Sequence, residues 1–186
     1  CPPISRKIIM HALGGEQDIF DHFVNWVAFI LQRMERTSTA WVLSGTEGTG
    51  KGLLMNRILR PLLGYNQTTT RRMEEFNEPY NGFMAQTFLV MVDEIEAKAM
   101  LNEKGVMAKL RGFITEPTIP IRRMYASGVE MPNYTNWIFA SNRPEPVIIP
   151  SEDRRYNVGK YQPKKRDYEL TSSQAKGEEP PSPGSL

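Results

Sequence analysis

The chain predicts an α/β fold around a mostly parallel central sheet, and three stretches carry that prediction. The first is Gly45-Thr46-Glu47-Gly48-Thr49-Gly50-Lys51-Gly52, set between the apolar run Trp41-Val42-Leu43 and the helix-forming Leu53-Leu54-Met55-Asn56-Arg57-Ile58-Leu59. The second is Thr87-Phe88-Leu89-Val90-Met91-Val92, apolar enough for a strand buried on both faces, and it closes on Asp93-Glu94. The third, Asn136-Trp137-Ile138-Phe139-Ala140-Ser141-Asn142, is a strand of the same kind that ends in an amide. Strands and helical runs alternating in this way predict a three-layer sandwich.

The remaining elements follow in order. After a flexible Gly14-Gly15, Asp18 is placed to cap a helix whose apolar residues Ile19, Phe20, Phe23, Val24, Val27, Ile30, Leu31 and Met34 recur at three and four. That stripe expects to pack on the chain's own sheet, with a neighbouring subunit as the alternative partner. Thr37-Ser38-Thr39 separates it from the first strand, and Pro61 and Gly64 are expected to end the helix after the glycine loop. The mixed charge of Arg71 to Asn77 and the turn-rich Pro79 to Phe83 read as a solvated face without chemistry. Lys109 to Glu116 reads as a helix, and Ile119 to Tyr125 and Val129 to Pro132 as two short strands joined at Ser127-Gly128. Tyr156-Asn157-Val158 is a short strand. From residue 162 onward, Pro, Ser, Glu, Lys and Gly dominate, as in a linker or disordered tail. The expected division is a helical segment over 1–39, a core over 40–161 and a tail over 162–186.

Several of these residues carry chemistry. A strand, a glycine turn and a helix start aim backbone N–H groups and the positive helix end at one point, where a polyphosphate can sit. Residues 45 to 53, from Gly45 to Leu53, form that nucleotide-binding set, with Lys51 reaching the β- and γ-phosphates. The pattern G-x-x-x-x-G-K-[ST] is met at Gly45, Gly50 and Lys51 but not at Gly52, so the hydroxyl that usually ligates Mg²⁺ is missing. A lysine in a glycine-rich turn is the bland alternative, and the flanking strand and helix weigh against it.

At the carboxyl end of the second strand, Asp93 is placed to hold Mg²⁺ through water and Glu94 to polarise an attacking water, with helix capping as their structural alternative. Glu96 reads as a cap or a solvated side chain. Asn142 is expected to hold that water or touch the γ-phosphate, although an asparagine before Arg143-Pro144 also starts turns. Arg154 and Arg155 read either as a surface ion-pair feature or as donors reaching a neighbour's nucleotide. Lys109, Arg122, Arg123 and Tyr125 combine cations with an aromatic ring, as phosphate contact and base stacking require, against a plain solvated face.

The glycine loop, Val92-Asp93-Glu94, Phe139-Ala140-Ser141-Asn142 and Asp153-Arg154-Arg155-Tyr156, taken in that order over roughly residues 40 to 160, resemble the superfamily 3 helicases. The likeness is to the helicase part of phage and mobile-element primase-helicases, where glycine after the motif lysine also occurs. It implies an AAA+-like phosphate-loop NTPase sandwich and an ATP-driven helicase motor that hydrolyses ATP with Mg²⁺. It further implies a homo-oligomeric, six-membered ring around single-stranded DNA, in the cytoplasm of a phage host. In that reading Glu94, Asn142, Arg154 and Arg155 are catalytic, Asp93 holds the metal, and Lys109, Arg122, Arg123 and Tyr125 grip DNA. A chain opening on Cys1 is then expected to be cut from a longer protein with a primase or polymerase module ahead of it. Two other classes stay open: a small-molecule phosphoryl transferase, and a nucleotide-dependent DNA-binding scaffold without catalysis.

Composition narrows the field. The 186 residues are 40% hydrophobic, enough for one substantial core. The net charge is only +2, so broad electrostatic coating of duplex DNA is not the expected mode. Cys1 is the single cysteine, which leaves no internal disulfide, and His11 and His22 without further cysteines make a poor zinc set. No run of eighteen apolar residues predicts a membrane span.

Overall fold

The computed structural model describes residues 3–93, 95, 104–144 and 153–165. Five parallel strands form the central sheet in the order β2-β3-β6-β1-β7. They are β1 (Ala40–Ser44), β2 (Thr68–Arg72), β3 (Leu89–Asp93), β6 (Asn136–Ser141) and β7 (Tyr156–Val158). Every residue of β1 and β6 is buried, so the two apolar runs occupy the middle of the sheet with both faces covered. At one edge, β2 alternates buried and more exposed positions, which is why its Thr-Thr-Thr-Arg-Arg sequence gives no apolar run to read. A separate antiparallel hairpin pairs β4 (Thr118–Ile121) with β5 (Val129–Pro132).

Helices α1 (Pro3–Ala12) and α2 (Gln17–Arg33) cover one face together with the helical run that follows the glycine loop. The stripe of α2 turns inward onto the chain's own sheet: Phe20, Phe23, Val27 and Ile30 are buried among Trp41, Leu43, Met91 and Ile138. Phe23 meets Trp41 edge-on at 5.1 Å, an arrangement that adds about 0.5–1.5 kcal/mol to the burial of the two rings. Helix α2 starts two residues earlier than the sequence predicts, with Glu16 rather than Asp18 at the cap position and no side-chain cap bond. The Glu16 carboxylate instead pairs with Lys160, and Asp18 lies in the first turn.

On the opposite face, α5 (Lys104–Thr115), the 3₁₀ turns Met73–Asn77 and Gly82–Gln86, and the hairpin enclose a second core. Trp137 is central to it, stacked on Phe113 at 6.0 Å and on Phe139 at 6.4 Å. At the amino-terminal edge of the sheet, the buried Asn136 side chain ties three segments together. Its Oδ1 accepts from the Thr37 N–H (2.8 Å) and hydroxyl (3.0 Å), and its Nδ2 donates to the carbonyls of Glu35, Phe88 and Tyr134 at 3.2 Å each.

The helix after the glycine loop runs past Pro61. Lys51–Leu53 forms α3, Leu54–Leu59 widens into a π-helix, and Arg60–Leu63 forms α4. The Arg60 N–H bonds to the Met55 carbonyl, five residues back. Proline lacks the N–H of a regular turn and crowds the carbonyl four residues before it, and the wide turn just ahead of Pro61 absorbs both defects. Gly64, at φ 101°, then ends the run.

Candidate phosphate site and its surroundings

The parallel arrangement brings the carboxyl ends of β1, β3 and β6 to one edge, with Ser44 level with Ser141 and Val92 level with Phe139. The glycine loop leaves that edge from β1. Gly48 (φ 83°) and Gly50 (φ 94°) take left-handed conformations that a side-chain-bearing residue rarely adopts, and together they turn the chain into α3. Gly45 meets a different constraint, since a Cβ there would lie 2.8 Å from the Gln162 carbonyl oxygen.

Lys51 opens α3 with its side chain only 7% exposed. Its ammonium donates to the Gly45 carbonyl (2.7 Å), the Thr46 carbonyl (3.2 Å) and the Thr49 hydroxyl (3.2 Å). All three acceptors are neutral and belong to the loop itself. Burial holds the Lys51 pKa below the ordinary lysine value, opposed by the fields of Asp93 and Glu47. Asp93 ends β3 one residue past Val92, at the edge from which the glycine loop leaves β1. At Gly52 a Cβ would meet nothing within 4 Å, so the missing hydroxyl is not imposed by crowding.

Asn142 follows β6 directly and is exposed at the same edge. Glu94 lies outside the described residues, as does Glu96. Ser141, which the sequence reading passed over, anchors this edge: its hydroxyl donates to the Ile95 carbonyl (2.7 Å) and accepts from the Arg143 N–H (3.1 Å).

The arginine pair lies elsewhere. Tyr156 is level with Ala40, and the Ala40 N–H bonds to the Arg155 carbonyl, so Arg154 and Arg155 sit at the amino-terminal edge, opposite the glycine loop. Arg155 grips Asp153 with two bonds, Nε to Oδ1 at 2.7 Å and Nη2 to Oδ2 at 2.8 Å. That grip holds the Asp153 carboxyl below its usual value and raises the Arg155 guanidinium. Arg155 is thereby an intrachain ion-pair residue, and Arg154 is the exposed member of the two.

The basic segment divides as well. The Lys109 ammonium donates to the carbonyls of Phe76 (3.1 Å) and Glu78 (2.7 Å) and lies 5.8 Å from the Phe113 ring centroid. This ties α5 to the turn after β2. Arg122, Arg123 and Tyr125 are exposed, but in the loop of the hairpin, residues 122–128, rather than at its base. Tyr125 is 95% exposed with φ 61°.

The sequence placed residue 162 in a tail, whereas the structure fastens it to the glycine loop. The Gln162 N–H bonds to the Ser44 carbonyl (3.0 Å) and the Thr46 N–H to the Gln162 carbonyl (2.9 Å). The Thr46 hydroxyl donates to the Pro163 carbonyl (3.2 Å), and His11 Nε2 to the Lys164 carbonyl (3.1 Å). Polar composition gave no warning of this, because the strap's contacts with the loop use its own backbone groups, whichever side chains it carries.

A protein-family model described as a family of unknown function, DUF5906, matches residues 43–155. The chain belongs to that family. It is 31% identical over 157 residues to the DNA primase-polymerase of Nitratiruptor phage NrS-1, covering 84% of this chain and 22% of that protein. Its fold matches two apo structures of the NrS-1 C-terminal region, both at 31% identity over 86% of this chain. The first has a TM-score of 0.78 over 38% of that chain, the second 0.75 over 37%. The DUF5906 chain thus spans about a fifth of the curated relative it matches.

These findings correct the resemblance to superfamily 3 helicases. The matching family has no assigned function and the named relative is a primase-polymerase, so the helicase motor, its ATPase activity and both alternatives, the small-molecule kinase and the non-catalytic DNA-binding scaffold, are withdrawn. The physical reason is that a glycine loop, a strand-terminal acid and a strand-terminal amide describe one edge of a parallel sheet. They do not specify which reaction is run there. Among the described residues, no helix is long and apolar enough to cross a membrane.

Proposed function

We propose that this chain is the nucleoside-triphosphate-binding part of a phage-type DNA primase-polymerase, built on a phosphate-loop sandwich. One observation supports it above the others: a lysine residue only 7% exposed at the start of a helix, its ammonium bonded to neutral oxygens of its own glycine loop. Phosphate oxygens can replace those acceptors with charged ones, which make stronger hydrogen bonds. The loop N–H groups and the positive end of the helix then complete an anion cradle. The class of the whole protein is taken from its relative, and the reaction it supports is nucleotidyl transfer on DNA.

The residues fit a Mg²⁺ that arrives with the triphosphate. Among the described residues no three His, Cys, Asp or Glu side chains converge on a cation, and Mg²⁺ commonly uses one or two carboxylates plus substrate phosphates. Asp93 would supply the carboxylate. When bound, the ion neutralises phosphate charge; Lys51 and the loop amides orient the phosphate chain, and Asn142 offers an amide to its outer end. Arg154, on the opposite edge, can serve only the triphosphate of another copy in a homo-oligomer. Arg122, Arg123 and Tyr125 form an exposed contact for single-stranded DNA.

The test is calorimetric titration of the chain with ATP, dATP, ADP and AMP in the presence of Mg²⁺. Affinity that falls with each phosphate removed supports the reading. Equal binding of AMP and ATP, or no binding of any of them, overturns it.

A further inference from the structure

We propose that Lys165 is a second cation of the triphosphate site, delivered to the glycine loop by the segment that follows β7. The inference rests on the triphosphate reading above and adds a residue outside the family match of 43–155.

The argument starts from how the chain returns to the site. Beyond β7 the Gly159 N–H bonds to the Val42 carbonyl (2.9 Å) and the Lys160 N–H to the Leu13 carbonyl (3.0 Å). Gln162 then extends the parallel pairing past the end of β1, as a bridge to Gly45. The Lys164 N–H bonds to Gln162 Oε1 (3.1 Å), and the Gln162 amide donates to the His11 carbonyl (3.3 Å). With the Thr46 and His11 contacts already described, every residue from 159 to 164 except Tyr161 is held by a hydrogen bond that fixes the direction of the strap.

The next residue is Lys165. Its stem lies across Gly48, with Cγ and Cδ each 3.6 Å from where a Gly48 Cβ would stand. Gly48 lies in the middle of the loop that wraps the proposed phosphate position, three residues before Lys51. The side chain is exposed, and no carboxylate among the described residues pairs with it. A lysine with its stem laid on the loop and its ammonium unengaged is placed to complete the charge around a polyphosphate. Lys51 and one Mg²⁺ still leave part of a triphosphate's negative charge unmatched.

The test compares Mg²⁺-ATP affinity in Lys165→Met, Lys165→Arg, Lys164→Met and Lys51→Met chains at one fixed salt concentration. Methionine keeps a stem over Gly48 and removes only the charge. Lys165→Met is expected to weaken ATP binding about tenfold, Lys165→Arg to stay within about threefold of the parent, and Lys164→Met to leave it unchanged. Parent-like binding by Lys165→Met, while Lys51→Met has lost affinity, removes Lys165 from the site and leaves the triphosphate reading standing. An equal loss in Lys164→Met assigns the effect to diffuse surface charge and overturns the proposal. Parent-like binding by Lys51→Met removes the triphosphate reading, and this inference goes with it.

Discussion

Replacing Lys51 by methionine separates a ligand-binding lysine from a structural one, because the two roles predict opposite patterns of stability and affinity. In the ligand-free chain the ammonium has lost much of its hydration and recovers three hydrogen bonds to neutral oxygens. Methionine removes the cost of burying charge but leaves the Gly45 and Thr46 carbonyls and the Thr49 hydroxyl without that donor. The two effects are each about 1–3 kcal/mol and oppose one another, so the net change in stability is expected within about 1.5 kcal/mol. Binding has no such cancellation. Loss of two charge-assisted bonds to phosphate removes about 3 kcal/mol, roughly a hundredfold in Kd. The pH dependence gives a second signature. The folded pKa of Lys51 lies below its unfolded value of 10.5, so between the two the unfolded chain holds more protons and stability rises with pH. Parent stability should therefore gain on Lys51→Met as pH climbs toward 10.5 and level off above it. Urea unfolding across pH and calorimetric ATP titration supply the two readouts. A methionine variant that unfolds several kcal/mol more easily yet binds ATP as the parent does would refute the argument and make Lys51 a tie within the loop.

Three further outcomes follow from the geometry. Asn136→Ala leaves the part-buried Thr37 N–H without its acceptor and the Glu35, Phe88 and Tyr134 carbonyls without a donor, and it should cost about 3 kcal/mol in urea unfolding. It should leave ATP affinity intact, since the site lies at the far end of β6, about 16 Å along the strand. Asp153→Asn should cost about 2 kcal/mol near neutrality by breaking the two-bond grip of Arg155. Because the folded Asp153 pKa lies below its unfolded 3.8, the stabilisation is present above that value and lost as pH falls through the folded one. Parent and variant should then converge in acid, and a constant gap would assign the loss to packing. Tyr125→Ala with Arg122→Ala and Arg123→Ala should leave thermal stability within about 0.5 kcal/mol, because all three side chains are exposed. Single-stranded DNA affinity, read by fluorescence anisotropy, should fall at least tenfold, and an unchanged value would remove the hairpin loop from the DNA contact.

The centre of the sheet was legible because its strands are buried on both faces and so are apolar without interruption. Trp41 to Leu43, Leu89 to Val92 and Trp137 to Ala140 all fall within strands. Of the two edges, β7 was read at Tyr156 to Val158 and β2 was not. β2 reads Thr-Thr-Thr-Arg-Arg, since an edge strand with one partly solvated face needs no apolar run. Pro61 misled for a different reason: the rule that proline stops a helix assumes a regular α turn, and a π-helical stretch lets the chain continue. At the candidate site, the left-handed turns at Gly48 and Gly50 were legible in the glycine spacing, and the place of Asp93 at a strand end in the apolar run before it. Gln162 and the strap were not, because the bonds that join them to the loop run through the strap's backbone groups, which carry no side-chain signature.

The arginine pair shows where motif order stops being informative. In sequence, Arg154 and Arg155 follow the loop, the acid and the amide, and invite a place in the same site. In the sheet they sit at the start of β7, level with the start of β1 rather than its end. A parallel strand carries its two ends to opposite edges, so a residue just before the strand and one just after it face different surroundings. Lys165, seven residues after β7 ends, is brought to the loop, whereas Arg155, one residue before β7 begins, is bonded to Asp153 at the other edge. Which cation meets a bound triphosphate within one chain is decided by that direction of travel, and it selects the lysine that no motif contained.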